Sequence, residues 1–335
     1  MITVERFPMD IPYGWFFVAY SDELQAGDVK TVEYFGEELV LFRTLTGKAG
    51  LLEAYCAHLG AHLGYGGKVD EEGIRCPFHA WAYNTEGWAT DVPYAKKMPP
   101  ILSRRPCMKA YPVVEKNNVV WAWYHPQGVE PFFDVIEHEE INQIGHGEWE
   151  ELDRYHWDIL SNPQEIAENG VDIAHFRYVH GMDDVPEGHT TYDGHIRRSI
   201  AEGQRTLPMP DGEMKTFPTR VETVQNGAGQ KYTRITGITD TLLMVLATPV
   251  NKEKVELRFA FTHRKFDKES MEYNIARMAI ALVIGQTGVE GDIPIWNHKI
   301  HRKNPILCDG DGPIMQFREY FEQFYLPEER REAAE

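Results

Sequence analysis

A chain of 335 residues with 52 acidic against 34 basic side chains, a formal charge of −18, is ill suited to binding phosphate backbones or anionic membranes. Hydrophobic residues make up 42%, and no apolar run approaches the roughly 20 residues that span a bilayer, so a soluble globular fold with room for two domains is expected. Four cysteines, at 56, 76, 107 and 308, are too few for a disulfide framework, and MITVERFPMDIPYGW carries no secretory leader, so a reducing cytoplasmic setting is expected.

Residues 13 to 125 read as short strands broken by turns. GWFFVAY (14–20), EELVLFRT (37–44) and LLEAY (51–55) are rich in β-branched and aromatic residues, and GKAG turns between the last two. YPVVEKNNVVWAWY (111–124) predicts a hairpin turning at Lys116-Asn117-Asn118. The acidic, Pro- and Gly-bearing stretch 125–140 then suggests a boundary, dividing the chain into residues 1–130 and 131–335. Beyond it, 163–180 is helix-like with a glycine interruption, 217–265 is rich in strand formers, and 267–285 carries apolar residues at helical spacing. The expected class is α+β, an all-β N-terminal domain followed by an antiparallel sheet covered by helices in a helix-grip-like manner.

Cysteine and histidine cluster in CAHLGAHLGYGGKVDEEGIRCPFHAW (56–81). Cys56-x-His58 and Cys76-x-x-His79 stand 17 residues apart, and each arm supplies one sulfur and one nitrogen. Ordinary zinc fingers pair like with like in each arm, whereas a Rieske [2Fe-2S] centre gives two thiolates to one iron and two imidazoles to the other. CAHLGAHLG followed by CPFHAW resembles the two cluster loops of the Rieske family, and the resemblance implies Cys56, His58, Cys76 and His79 as the cluster ligands. His62 is then left to a supporting or surface place.

A cluster alone moves one electron, so a second site decides between a pure electron carrier, which needs only the first 125 residues, and an enzyme. ENGVDIAHFRYVHG (168–181) contains Asp172, His175 and His180, and it resembles the mononuclear-iron motif of Rieske non-haem iron oxygenases. His175 and His180 lie about 140° apart on an ideal helix, so one ion is reached by both only if the helix bulges or ends between them. Two histidines and one carboxylate on one face of Fe(II) leave positions open for dioxygen. Spacing leaves Glu290 and Asp292 as rivals for the carboxylate, and the family pattern D-x-x-I-W implies Asp292.

The resemblance further implies a terminal oxygenase that draws electrons from a separate NAD(P)H-dependent reductase or ferredoxin. It implies a head-to-tail homotrimer in which Asp172 bridges His79 of one copy and His175 of the next. The chain has no G-x-G-x-x-G fingerprint opening a helix. The basic island YAKKMPPILSRRPCMK (94–109), with Lys96, Lys97, Arg104, Arg105 and Lys109, suggests an acidic donor, although an ordinary solvated or inter-subunit face fits slightly better. DIPIWNHKIHRKNPILCDGDGPIMQFREYFEQFY (292–325) resembles 3-ketosteroid 9α-hydroxylase oxygenase components and cholesterol desaturases. That likeness implies an apolar, sterol-like substrate, for which Phe176, Leu243, Met244, Phe259 and Phe261 could build a pocket; 181–195 reads as a gating loop, and His298 and His301 as surface or partner-facing residues. Hydroxylation, desaturation and oxidative demethylation, and a smaller aromatic substrate, all remain open at this point.

Overall fold

Runs of β-branched and aromatic residues separated by glycine-bearing turns build residues 14–137 into three antiparallel sheets. In the computed structural model, residues 5–144, 147–208, 212–237 and 239–327 are described. The first sheet joins β1 (Gly14–Tyr20), β10 (Val113–Lys116) and β11 (Val119–Tyr124) in the order β1-β11-β10. A second orders β2 (Val29–Tyr34), β3 (Glu37–Arg43), β4 (Ala49–Glu53) and β9 (Ala110–Tyr111) in sequence. The third runs β5 (Lys68–Val69), β6 (Gly73–Arg75), β7 (Ala82–Asn84) and β8 (Ala89–Asp91). The predicted 111–124 hairpin is present: Lys116 pairs with Val119, and Asn117 and Asn118 have φ of 57° and 58°, as a type I′ turn demands.

The second unit comprises the residues up to 13 together with those from 138 onward. This differs from the 130/131 division at both ends, for identifiable reasons. Residues 133–137 are held to the first unit by Trp15 Nε1 donating to the Phe133 carbonyl at 2.7 Å and by a Lys116–Glu137 ion pair at 2.9 Å. The N-terminal segment is held to the second, where the Arg6 guanidinium donates to the carbonyls of Leu160 and Trp296 at 2.9 Å and Tyr13 N donates to Phe324 O at 2.8 Å.

One seven-stranded antiparallel sheet dominates this unit, in the order β12 (Asp153–Ile159), β18 (Lys254–His263), β17 (Thr241–Asn251), β16 (Gln230–Thr236), β15 (Met214–Asn226), β14 (Ile196–Pro208) and β13 (Glu187–Asp193). Helix α1 (Glu139–Asn142) precedes it, α2 (Pro163–Glu168) and α3 (His175–Tyr178) lie between β12 and β13, and α4 (Met271–Ile284), α5 (Val289–His298) and α6 (Ile314–Glu322) follow. Leu243, Val245, Leu257 and Phe259 of the sheet share a core with Ile166 of α2, Ile280 of α4 and Trp296 of α5. The expected sheet covered by helices is therefore the observed one.

One expectation is corrected and two features are refined. The 181–195 segment is no free loop: residues 187–193 form β13 paired along β14, Asp184 pairs with Arg177 at 3.0 Å, and Asp183 accepts from the Thr206 hydroxyl at 2.8 Å. The helical pattern of 163–180 becomes two short helices around Gly170. Finally, Met271–His298 has the length and mean hydropathy, 1.2, of a membrane-crossing helix. It is nevertheless broken into helices of 14 and 10 residues at Gly285–Gly288, each short of the roughly 20 that a bilayer requires. A side chain at Gly288 has no room, since its Cβ would stand 2.0 Å from Val283 O.

A buried ionic knot fixes α2 against the segment after α5. Glu165, fully buried, pairs with Lys299 Nζ at 2.6 Å and accepts from His301 Nδ1 at 2.7 Å, while Glu168 pairs with Arg318 at 2.6 Å. His301 is thus an internal partner, its side chain only 9% exposed, and not the surface residue expected. Burial raises the Glu165 carboxyl, but the His301 hydrogen bond and the Lys299 charge outweigh it and hold it down to about 2. A folded value below the unfolded value, about 4.3, adds stability that is complete above the unfolded value and lost as pH falls toward the folded one. Glu165→Gln should therefore cost about 3 kcal/mol near pH 7. In urea melts the deficit should shrink between pH 5 and pH 3, whereas a deficit independent of pH would assign the effect to packing.

Candidate functional site

In the first unit the β4–β5 and β6–β7 loops present the Cys-His pairs in matching frames. Cys56 N donates to Ala61 O at 2.9 Å and Gly60 N returns to Cys56 O at 2.9 Å, while Cys76 N donates to Trp81 O at 2.8 Å and Ala80 N returns to Cys76 O at 3.0 Å. Gly60 and Ala80, each four residues after its cysteine, take left-handed φ of 72° and 59°, which curls both loops around the ligands. Both cysteines are buried and both histidines half-buried, with imidazole centroids 4.9 Å apart and His58 stacked on Trp81 at 4.6 Å. The donors thus fall into an inner sulfur pair and an outer nitrogen pair, which fits a cluster of two irons. Burial raises the Cys76 thiol, opposed by backbone N–H groups of Phe78 and His79 that point at its sulfur and favour the thiolate. His62 is engaged elsewhere, its Nδ1 accepting from Gly64 N at 3.0 Å and its ring set between Tyr55 and Tyr65.

One residue of this site escaped sequence reasoning. The Tyr83 hydroxyl lies 3.0 Å from Cys56 Sγ, and burial raises its phenol, so it stays a proton donor to the sulfur. The alternation of β7 places it there, but nothing in the sequence marks it.

In the second unit the segment between α2 and β13 solves the His175–His180 spacing problem. α3 ends at Tyr178, and the His175 carbonyl accepts from both Val179 N at 2.8 Å and His180 N at 3.3 Å, the latter reaching back five residues as in a π-turn. Gly181, at φ 69°, closes the turn. His175, His180 and Asp292 then offer ligand atoms within 4.8 Å of one another, with His180 Nε2 at 3.5 Å from Asp292 Oδ2. Two ligands each about 2.1 Å from one ion stand roughly 3–4 Å apart, so the set fits a metal.

The electrostatics also suit a metal. Burial, reinforced by the charges of His175 and Arg205, pushes His180 down to about 3, and burial lowers His175 as well. Both rings are therefore neutral near pH 7 with lone pairs to give. His175 Nδ1 donates to the Asp172 carbonyl, which leaves Nε2 free, and Asp172 Oδ1 accepts from His175 N at 3.3 Å. Burial raises Asp292 to about 7, against the pull of Asn169 and Lys231. Asn169 links the parts, since it bonds Asp292 and accepts from Trp296 Nε1 at 3.3 Å. Glu290, the rival carboxylate, pairs instead with Gln286 at 2.9 Å.

Beside this centre opens a cavity whose empty space, counted out into solvent at its mouth, is about 1000 Å³. Phe176, Leu243 and Phe259 line it as expected. Met244 does not, because its neighbours Leu243 and Val245 take the inner face of β17, and Phe261 is consumed by the core. The sequence reading missed Asn169, Arg205, Lys231 and Trp296, all of which reach the same cavity.

Residues 14–112 match the family model of the Rieske [2Fe-2S] domain, and residues 122–325 match that of the 3-ketosteroid 9alpha-hydroxylase C-terminal domain. The chain belongs to the Rieske oxygenases carrying that C-terminal domain. It is 32% identical, over 95% of its length and 82% of the relative, to the oxygenase component of a 3-ketosteroid-9-alpha-monooxygenase of Rhodococcus rhodochrous. A cholesterol 7-desaturase of Xenopus laevis is 30% identical over 95% of this chain and 72% of the relative. The fold is shared with dicamba monooxygenase bound to dicamba at a TM-score of 0.71, 15% identity and coverage of 98% and 100% of the two chains. This Rieske oxygenase is thus the terminal oxygenase component of a system whose electrons come from a separate reductase.

Tyr83→Phe removes a hydrogen bond that favours the more negative, reduced cluster. In this oxygenase it should lower the cluster's reduction potential by on the order of 50 mV, the one-electron equivalent of about 1 kcal/mol. Redox titration followed by the reduced EPR signal measures the shift, and an unmoved potential would remove Tyr83 from the site.

Proposed function

We propose that this oxygenase hydroxylates a bulky, largely apolar, steroid-like substrate, with Cys56, His58, Cys76 and His79 holding the [2Fe-2S] cluster and His175, His180 and Asp292 holding Fe(II). The observation that carries this reading is the mostly apolar cavity opening directly on the three convergent ligands. When bound, the cluster would supply electrons singly and the ferrous ion would supply dioxygen activation. The chain's own part is positional. Phe176, Leu243 and Phe259 exclude water and orient the apolar frame, while the neutral imidazoles and Asp292 leave one side of the metal site facing it.

Asp172 has a second task in this reading. Its backbone carbonyl fixes the His175 tautomer, and its side chain, 40% exposed, remains available to accept a hydrogen bond from His79 of a neighbouring copy in a closed trimer. For the electron donor we propose the exposed face bearing Lys96, Lys97, Arg104 and Arg105. Arg105 and Lys109 line a groove that also contains His58 and Trp81, so an acidic partner seated there lies against a cluster ligand. Desaturation of a similar frame is the second reading, favoured by the cholesterol 7-desaturases at 28–30% identity.

Coupled dioxygen uptake with a surrogate reductase, screened over 3-oxosteroids, sterols and small aromatic acids, tests the substrate class. Uptake with a steroid and formation of a hydroxylated product are expected, and uptake coupled only to a small aromatic acid would overturn the reading. Asp172→Asn should retain iron and cluster at wild-type content yet lose turnover by about a hundredfold or more, as a broken inter-copy bridge requires. Light scattering should return three copies per particle for both proteins.

A further inference from the structure

The floor of the cavity is laid by alternate residues of β15 to β18. Val221, Thr233, Ile235, Leu243, Val245 and Phe259 all face the cavity, as the two-residue period of a strand requires. Lys231 stands in the same row, level with Gln225 on one neighbouring strand and Val245 on the other. A position that the pattern assigns to an apolar side chain therefore holds an ammonium.

That placement is costly unless the amine meets a partner. Burial, followed by the charge of Arg197, pushes its amine down to about 7, with Asp292 only partly opposing. Lys231 lines the same cavity as His175, His180 and Asp292. Yet among the described residues its amine makes no hydrogen bond and no ion pair within 4 Å, and Asp292 is occupied by His180 and Asn169. Arg205 lines the main cavity too, tied to the Thr287 hydroxyl at 2.9 Å. Among the residues that line the cavity, the cations Lys231 and Arg205 share it with one carboxylate, Asp292.

We infer that Lys231 is the substrate-recognising group of this cavity, donating to an oxygen acceptor, a carbonyl or a carboxylate, carried on the otherwise apolar substrate. This rests on the reading that the cavity is the substrate site, and it adds the polar group by which a substrate is fixed in one orientation. A site built around a donor rejects the analogue that lacks the acceptor, because the amine is then left buried and unpaired. Lys231 acts here as a specificity residue and has no part in holding the metal.

The test is anaerobic equilibrium binding to the iron-loaded holoprotein, read by tryptophan fluorescence, since Trp296 lines the cavity. Two matched sets serve as probes: 5α-androstane, androst-4-en-3-one and 3-oxo-androst-4-ene-17β-carboxylic acid, and naphthalene, 2-acetylnaphthalene and 2-naphthoate. On at least one frame an oxygenated member should bind about tenfold or more tightly than the hydrocarbon, the scale of one good hydrogen bond. Lys231→Met should erase that preference while leaving hydrocarbon affinity and iron content unchanged. Because it removes an unpartnered amine from a mostly apolar wall, this variant should melt no lower than wild type, and Lys231→Arg should restore part of the preference. The order of ketone and carboxylate then tells which acceptor the site takes.

Preference unaffected by Lys231→Met overturns the inference and leaves the proposed function standing. So does loss of iron in that variant, which would make Lys231 a support of Asp292. Failure of the wild type to retain iron, or to bind any probe of either frame, overturns both.

Discussion

Two histidines five residues apart meet one ion only where the chain between them gives up regular helix, and much of the second unit is arranged around that opening. The His175 carbonyl accepts two N–H groups, and α3 is a single turn of four residues. Such a turn cannot hold itself, because helix nucleation is unfavourable and only longer helices recover the cost. Its order comes from the neighbours. Upstream, α2 is fastened through Glu165 and Glu168 to Lys299, His301 and Arg318. Across the site, Asn169 ties the same segment to Trp296 and Asp292 on α5. The third ligand therefore arrives by the contact that steadies the first two.

The cluster loops meet a different demand. One crosses from β4 of the second sheet to β5 of the third and the other joins β6 to β7 within the third, and each is held by a pair of backbone hydrogen bonds and one left-handed residue. Rigid flanking strands let a loop carry ligands without a helix to brace it. Burial of the sulfurs and partial exposure of the imidazoles polarise the site, with the histidine side nearer solvent. An electron leaving by a histidine edge crosses less protein than one leaving by the sulfurs.

Much of this was legible in the sequence, for reasons that differ by residue. The mixed Cys-His arms and the Asp-His-His segment could be read because metal chemistry restricts both residue type and spacing. Asp292 needed the family pattern, since a carboxylate more than a hundred residues away leaves no local signal, and Glu290 sits in the same helical turn. His301 was misread because a histidine in a charged run looks solvent-facing until the fold reveals a buried acid such as Glu165 opposite it. Tyr83 and Lys231 lie on strands whose faces are set by register, and a slip of one residue would have pointed each of them away. Met244 was misplaced for that same reason.

The floor of the cavity and the metal ligands occupy separate parts of the chain, one on alternate strand positions and the other on short helices. Substitution at a floor position changes the shape offered to a substrate without moving any donor atom of the metal centre. Oxidative chemistry and substrate range can therefore drift independently over evolutionary time. The relatives at about 30% identity include both a monooxygenase component and a desaturase. For protein engineering, the cavity-facing positions on four adjacent strands form a compact library separate from the three metal-binding positions.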